Sequence, residues 1–354
     1  MITSLDLKHF RSYVDASFAL DPGVNIVAGP NGSGKTNLLE AILVTLRGGS
    51  YRAKDSELVA FGAPWARLDA IMTDNSRRTV KIKVADDGSV AKQFEVDERL
   101  FTRLPATRTL PVVLFEPNHL LLLSSSPDLR RVFLDDLIEQ TNMSFGAVRR
   151  HYKRVLSQRN SLLKKNPKDI AEQLFIWNVR LSELGGKIAR ERQALIERFA
   201  TQMSETYSEL ADRPSDVQLQ YVSPFPSSQY ETALLSKLEA STSLDVLRGF
   251  TAYGPHRDDM AVHINGHPVQ GTASRGETRT LVLALKLLEV HIIEAARQMR
   301  PILLLDDVFS ELDARRRTAL TKSLGGYQSC ITTTDADIVA RHFSGHNVIS
   351  VKLA

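Results

Sequence analysis

The sequence predicts an α/β protein that carries an antiparallel β subdomain and an inserted α-helical lobe. Three observations lead to this. Over residues 24–46 a short apolar strand, a Gly-rich turn and an apolar helix follow one another. Residues 68–96 alternate apolar and polar side chains about an Asp86-Asp87-Gly88 turn, which is the period of antiparallel strands. Residues 145–211 are poor in Gly and Pro and space their apolar side chains as a helix does. The expected order is an α/β domain over 1–125, a helical lobe or arm over 126–245, and a return to the α/β domain over 246–354.

A chain of 354 residues is long enough for two or three modest domains with a sizeable core. No apolar run approaches the roughly 18 residues of a membrane span, and the first ten residues lack the apolar core of a signal peptide. The expectation is a cytoplasmic protein with no membrane partner. The single cysteine, Cys330, excludes an internal disulfide framework and a Cys-based zinc site. The net charge is only +4, but residues 145–200 hold 13 Lys/Arg against 5 Asp/Glu, so the middle carries +8 and the remainder about −4.

The helical region starts with a helix over about 145–165 that stops before Pro167. A second helix is expected over 168–210. Its Ile170, Leu174, Trp177, Leu181, Leu184 and Ile188 follow steps of four, three, four, three and four, and Leu195 and Phe199 resume the stripe after Glu191. Gly185 and Gly186 predict a weak point or kink. The pair reads either as a projecting arm or as an ordinary helical subdomain. Beyond it, Asn265-Gly266 places a hairpin over 260–269. A long helix follows over 274–299, then core strands over 302–305 and 329–333.

Chemistry concentrates in three places. Gly29, Pro30, Asn31, Gly32, Ser33, Gly34, Lys35 and Thr36 fit the phosphate-binding pattern G-x-x-x-x-G-K-[ST] between a strand and a helix. Its glycines let backbone N–H groups wrap phosphates at a helix N-terminus, where an anion is already favoured. Lys35 would reach the β- and γ-phosphates of ATP, and the Thr36 hydroxyl would ligate Mg²⁺. Second, Asp306 and Asp307 end the apolar run Ile302-Leu303-Leu304-Leu305, where an open α/β sheet presents its ligands. Asp306 would hold the metal, and Asp307 would orient or deprotonate the attacking water. Third, Ser274 and Glu277 have capping-box spacing at the start of the 274–299 helix.

In this order the segments resemble the Walker A, signature, Walker B and D-loop of ABC-type P-loop ATPases. The resemblance narrows to the RecF family of bacterial recombinational repair. It is carried by Leu7-Lys8-His9-Phe10-Arg11-Ser12-Tyr13, by the Gly-rich loop with Asn37 and Leu38-Leu39-Glu40, by Ser50-Tyr51-Arg52, and by Arg130-Arg131 with Phe133-Leu134-Asp135. The segment from Tyr253 to Asp259, the Ser274-x-Gly276-Glu277 stretch, and the Leu303-to-Asp313 run complete it, so that it covers nearly the whole chain. The resemblance implies an ABC-type ATPase head that is a slow, DNA-stimulated ATPase. In that class the signature Ser274, with Gly276 and Glu277, contacts the γ-phosphate held by the other subunit of a homodimer. Asp313 falls in the D-loop and Thr334 at the switch position. Arg11 reads either as a phosphate contact or as an ordinary surface arginine. Phe115-Glu116-Pro117 is the candidate Gln-loop. The residues themselves give no role for the 253–259 segment. Asp307 stands where the broader class has a glutamate.

From 149 to 168 there are eight Lys/Arg and no acid. Arg149, Arg150, Lys153, Arg154, Arg159, Lys164 and Lys165 are the candidate contacts to a DNA backbone, because like charges on one helix repel unless a polyanion neutralises them. A solvated helix face is the alternative. The resemblance implies DNA with duplex character near single-stranded gaps, and RecO and RecR as partners in loading RecA. Two other function classes stand beside this one: a metal nuclease with an ABC head, and a protein-interaction scaffold in which ATP is structural.

Overall fold

The computed structural model describes residues 1–343 and 345–352. The chain divides into two units, one of Met1–His119 with the chain from Glu289 onward, the other of Leu120–Leu288. Among the described residues no helix is long and apolar enough to cross a membrane.

The first unit opens with β1 (Ile2–Phe10) and β2 (Tyr13–Ala19), then β3 (Val24–Ala28) and α1 (Lys35–Arg47). Four strands follow, β4 (Trp65–Met72), β5 (Arg77–Val84), β6 (Val90–Val96) and β7 (Arg99–Phe101), before β8 (Val112–Phe115). The first sheet is antiparallel, in the order β2-β1-β4-β5-β6-β7. The alternation read over 68–96 is its pleat: Leu68, Ala70, Met72, Val80 and Ile82 all face the core.

In the second unit α2 (Pro127–Thr141), α3 (Phe145–Lys165) and α4 (Ile170–Ala211) precede β9 (Val217–Val222), α5 (Tyr230–Ala240) and α6 (Thr242–Arg248). Then come β10 (Asp259–Ile264), β11 (His267–Pro268) and α7 (Arg275–Arg297), which belongs to the first unit from Glu289 onward. The first unit closes with β12 (Ile302–Asp306), α8 (Val308–Glu311), α9 (Ala314–Ser323), β13 (Ser329–Thr333), α10 (Ala336–Ala340) and β14 (Asn347–Ser350).

The second sheet of the first unit is parallel, in the order β14-β3-β13-β12-β8. Helix α1 packs against β1, β4 and β5 of one sheet and β8, β12 and β13 of the other. That explains its composition, because a helix covered on both sides must be apolar all round. Leu38, Leu39, Ala41, Ile42, Val44 and Leu46 are all fully buried.

Helix α4 is the spine of the second unit and packs on α2, α3, α5 and β9. The apolar stripe read from the sequence is its buried face, and the subdomain reading holds over the projecting arm. The expected weak point does not interrupt the helix: α4 runs unbroken for 42 residues. The two glycines serve close packing instead. A Cβ at Gly186 would stand 2.2 Å from Glu231 Cγ, and one at Gly185 3.0 Å from Leu234 Cδ2, both on α5.

Residues 246–288, expected with the α/β domain, pack in the helical unit. All six residues of β10 pair with β9, and the loop before β10 forms a buried polar core. Arg192 donates to both oxygens of Asp135, at 2.8 and 3.1 Å, and to the Pro255 carbonyl at 2.5 Å. Asp258 accepts the hydroxyls of Tyr221 and Tyr230, each at 2.6 Å. Arg130 donates to both oxygens of Asp259, at 2.7 and 2.8 Å. The 253–259 segment thus ties α2, α4, α5 and β9 together, a role its residue types did not disclose.

His256 of this core supplies a pH prediction. Its Nε2 faces the Thr251 carbonyl at 3.1 Å and so carries the proton, leaving Nδ1 to accept the Tyr152 hydroxyl at 2.6 Å. Burial first, and then the charges of Arg257, Arg131 and Arg192, push its pKa down to about 4. The unfolded chain titrates near 6.5 and binds more protons between these values. Stability from this group is therefore complete above about pH 6.5 and falls as pH drops toward 4. Urea unfolding at pH 7.5 and pH 5 should differ by about 2 kcal/mol more in the wild type than in His256→Gln, which cannot take up the proton.

Candidate nucleotide site and basic helical face

The parallel sheet brings the separated motifs to one edge. Thr333 pairs with Ala28, Asp306 with Thr332, and Leu305 with Phe115. The Gly-rich loop, Asp306, Asp307, Thr334 and Glu116 therefore emerge together at the C-terminal strand ends, where such sheets bind ligands.

The loop is shaped by its glycines at two points. A Cβ on Gly29 would lie 2.2 Å from the Val351 carbonyl oxygen. Gly34 has φ +102, and a Cβ there would meet Ser12 Oγ at 2.8 Å. Tyr13 fixes the loop from outside by donating its hydroxyl to the Gly34 carbonyl at 2.9 Å. Lys35 is largely buried, and its Nζ donates to the carbonyls of Gly29 and Pro30, each at 2.8 Å. Ser33 Oγ is buried with no hydrogen-bond partner among the described residues. An orphaned hydroxyl and a folded-back ammonium in one Gly-rich loop fit an anionic ligand. Pro30, Asn31 and Gly32 form its exposed crest.

Asp306 links the loop to the sheet. Its Oδ1 accepts the Thr36 hydroxyl at 2.9 Å and the Thr332 hydroxyl at 2.8 Å. A hydroxyl and a carboxylate in contact are the oxygen donors that Mg²⁺ takes. The Asp307 N–H donates to Thr332 Oγ1 at 2.8 Å, and its backbone is left-handed, with φ 50. That conformation is uncommon for a residue with a side chain and is often found at functional positions. Thr332 is fully buried and was not singled out in the sequence. Its signal is a hydroxyl residue in register with Asp306.

Arg11 and Asn37 occupy a network around the buried Glu40 of α1. Arg11 donates to both oxygens of Glu40, at 2.8 and 3.0 Å. Arg52 donates to Glu40 at 3.0 Å and to Asn37 Oδ1 at 2.7 Å. Asn37 in turn donates to Ser12 Oγ at 2.9 Å. Burial raises the Glu40 carboxyl, but bonds from Arg11, Arg52 and Ser50 outweigh it and hold it below the usual range. Arg11 is thus neither a simple surface arginine nor, in this geometry, aimed at phosphate: it holds the first turns of α1. Tyr51 lies close enough that Asp306, after burial, helps to push its hydroxyl up.

Ser274, Gly276 and Glu277 belong to the second unit. Ser274 N–H donates to Glu277 Oε2 at 2.9 Å, and Glu277 N–H donates to Ser274 Oγ at 3.2 Å, so the capping box is formed. Ser274 remains exposed. Asp313 caps α9 by accepting the Arg316 N–H at 2.9 Å, and Thr334 is exposed one residue past β13.

The basic stretch needs correction at two positions. Arg159, expected on DNA, is fully buried. It donates to Asn178 at 2.7 Å and to Asp245 and Thr251 at 2.8 Å each. Helical geometry is the reason: Tyr152, Val155, Arg159 and Leu163 share the buried face of α3. Arg149 is also taken up, at 3.1 Å from Asp136, 3.2 Å from Glu139 and 3.7 Å from Asp135. Arg150, Lys153, Arg154, Lys164 and Lys165 are exposed. Arg159→Ala should therefore act as a core mutation. It leaves Asp245 buried without its cation, and urea unfolding should show a loss of about 3–5 kcal/mol. The Lys164→Gln/Lys165→Gln pair should stay within about 0.5 kcal/mol per site of wild type.

The sequence profile of the RecF/RecN/SMC N terminal domain matches residues 1–351. The DNA replication and repair protein RecF of Heliobacterium modesticaldum is 36% identical over 343 residues, covering 94% of this chain and 92% of that protein. A solved structure of the recombination mediator protein RecF-ATPrS in the RecFOR pathway is 30% identical, with TM-score 0.86, and covers 96% of this chain and 94% of its own. An Smc head bound to the C-winged helix domain of ScpA shares the fold alone, at 17% identity and TM-score 0.54, covering 96% of this chain and 91% of its own. With its Gly-rich loop, paired strand-end acids and capped signature helix arranged on an ABC-type ATPase fold, the chain belongs to the RecF family.

Proposed function

We propose that this protein is an ATP-dependent DNA-binding protein of recombinational repair, a clamp that closes by ATP-driven dimerisation and opens on slow hydrolysis. The observation that carries the reading is the contact of the Thr36 hydroxyl with Asp306 at 2.9 Å, which joins the Gly-rich loop to the strand-end acid. Relatives named for DNA replication and repair, and a solved structure described as RecF-ATP, support it.

Backbone N–H groups of residues 29–34 and the N-terminus of α1 cradle the phosphates. Lys35 exchanges its two carbonyl acceptors for phosphate oxygens, which are stronger partners for an ammonium. Thr36 and Asp306 would hold Mg²⁺, which neutralises phosphate charge when bound. Asp307 orients the attacking water and accepts its proton, and the Thr332 hydroxyl fixes its backbone. An aspartate is one methylene shorter than glutamate, so turnover is slow and the nucleotide serves as a switch. Ser274 of one chain completes the site of the other, with Gly276 and Glu277 behind it and Asp313 and Thr334 at its rim. The exposed Arg150, Lys153, Arg154, Lys164 and Lys165 contact a DNA backbone at gaps or single-strand/duplex junctions. The clamp acts with RecO and RecR in loading RecA, and DNA stimulates its hydrolysis.

Sedimentation with and without ATP and duplex DNA tests the whole reading: a dimer should appear only with ATP. Lys35→Ala should lose ATP affinity by at least about tenfold and stay folded. Asp307→Asn should bind ATP and dimerise while hydrolysis falls by about tenfold or more. Ser274→Arg should bind ATP as a monomer and fail to dimerise; normal dimerisation would reduce Ser274 to a helix cap. Replacing Lys153, Arg154, Lys164 and Lys165 with Gln should flatten the log–log salt dependence of DNA binding by about 0.9 for each phosphate no longer neutralised. An unchanged slope would leave these residues as a solvated face.

A further inference from the structure

The first unit contains a cavity of about 490 Å³ lined by Met1, Met72, Arg78, Leu110, Met299 and Ile302, among others. It lies where β4 ends and β5, β8 and β12 begin, so it is at the opposite end of β12 from Asp306 and apart from the nucleotide site. Its size is that of a small-molecule pocket.

Arg78 sets its chemistry. The residue is 5% exposed, and among the described residues its guanidinium donates only to the carbonyls of Thr45 and Arg108. No carboxylate among the described residues lies within ion-pair distance of it. A buried cation without a direct ion pair is costly; burial lowers its pKa, and the more distant Asp97 and Asp74 offset this only in part. Both other arginines at the wall are already paired. Arg108 stands 3.7 Å from Asp97, and Arg300 stands 3.4 Å from Glu294. Asp74 accepts the Ser76 N–H at 3.0 Å and its hydroxyl at 2.6 Å. The Met1 ammonium, 3.4 Å from Thr73 Oγ1, is a further cation at the wall and acts on Asp74. Arg78 and Met1 against Asp74 leave one positive charge, so a single negative charge completes the cavity. A phosphate would bring up to two and would face Asp74 and Asp97. Apart from Thr73 and Thr107 the rest of the lining is apolar, and three of its side chains are methionines, which adapt to differing apolar shapes.

We infer that this cavity binds a monocarboxylate with an apolar body, the carboxylate on Arg78 and the body among Met1, Met72 and Met299. The ligand class includes a free aliphatic or aromatic acid and the C-terminal residue of a peptide.

The full chain labelled at its methionine methyl groups offers a local readout, since three of its six methionines line the cavity. Titration with hexanoate or 3-phenylpropionate at millimolar concentration should shift Met72 and Met299 and leave Met143, Met203 and Met260 in place. Hexanol should bind at least about tenfold more weakly, because it lacks the charge that Arg78 receives. Arg78→Met should lose the acid's advantage over the alcohol. Should that variant fail to fold, Met299→Trp at the half-exposed mouth fills the cavity without touching the charge, and it should abolish the Met72 shift. Response to the free acids alone assigns a small-molecule source. Response also to Ala-Gly-Leu, but not to its C-terminal amide, assigns a peptide terminus. Absent shifts, equal shifts with hexanol, or shifts produced by inorganic phosphate in place of the acids would overturn the inference.

Discussion

Asp306 Oδ1 accepts hydroxyls from Thr36 at the start of α1 and from Thr332 in the neighbouring strand, and the first unit is organised around that junction. To bring these groups together, β3, β13 and β12 must pair parallel and in one register. Parallel pairing requires crossover connections, and here the chain leaves for some 170 residues before β12 returns to it. The Thr332 hydroxyl also accepts the Asp307 N–H and so fixes the unusual backbone of the second acid. A sheet slip of one residue would turn Thr332 to the other face and separate all four groups.

The same junction explains why the helix behind the Gly-rich loop looks as it does. Its outer turns are gripped by Glu40, which is fully buried and accepts from Arg11, Arg52 and Ser50. A carboxylate in that position is tolerated because every oxygen is paired. Residues that read as pieces of a family pattern, such as Arg11-Ser12-Tyr13, acquire separate jobs: Arg11 on Glu40, Ser12 on Asn37, Tyr13 on the Gly34 carbonyl. They position the phosphate loop.

The second unit relies on buried charge to a comparable degree. Arg159 with Asp245, Arg192 with Asp135, and Asp258 with two tyrosine hydroxyls tie helices that are distant in sequence. Breaking any one leaves a charge in a dry interior, which makes the arrangement specific to this packing. It also changes how the basic stretch is understood. The net positive charge of α3 and α4 has two populations, one buried and structural, the other exposed on the surface.

Much was legible in the order of residues. The Gly-rich loop, the strand-end acids, the hairpins and the helix limits near 145, 165 and 211 depend on local rules: turn chemistry, capping and periodicity act over a few residues. The apolar stripe of α4 also followed from spacing alone. What the sequence could not decide was which long-range partner each polar group would meet. Gly185 and Gly186 read as a weak point or kink and proved to be clearance for α5. Arg159 read as a DNA contact and proved to be core, although its place on the Tyr152–Val155–Leu163 stripe signalled this. The 253–259 segment and Thr332 had no visible role until β9 met β10 and β13 met β12. Local propensity is written in neighbouring residues. Burial and pairing are properties of surfaces that exist only once distant segments are packed, and a charged side chain carries no mark of whether its partner will be water, a carboxylate or a ligand.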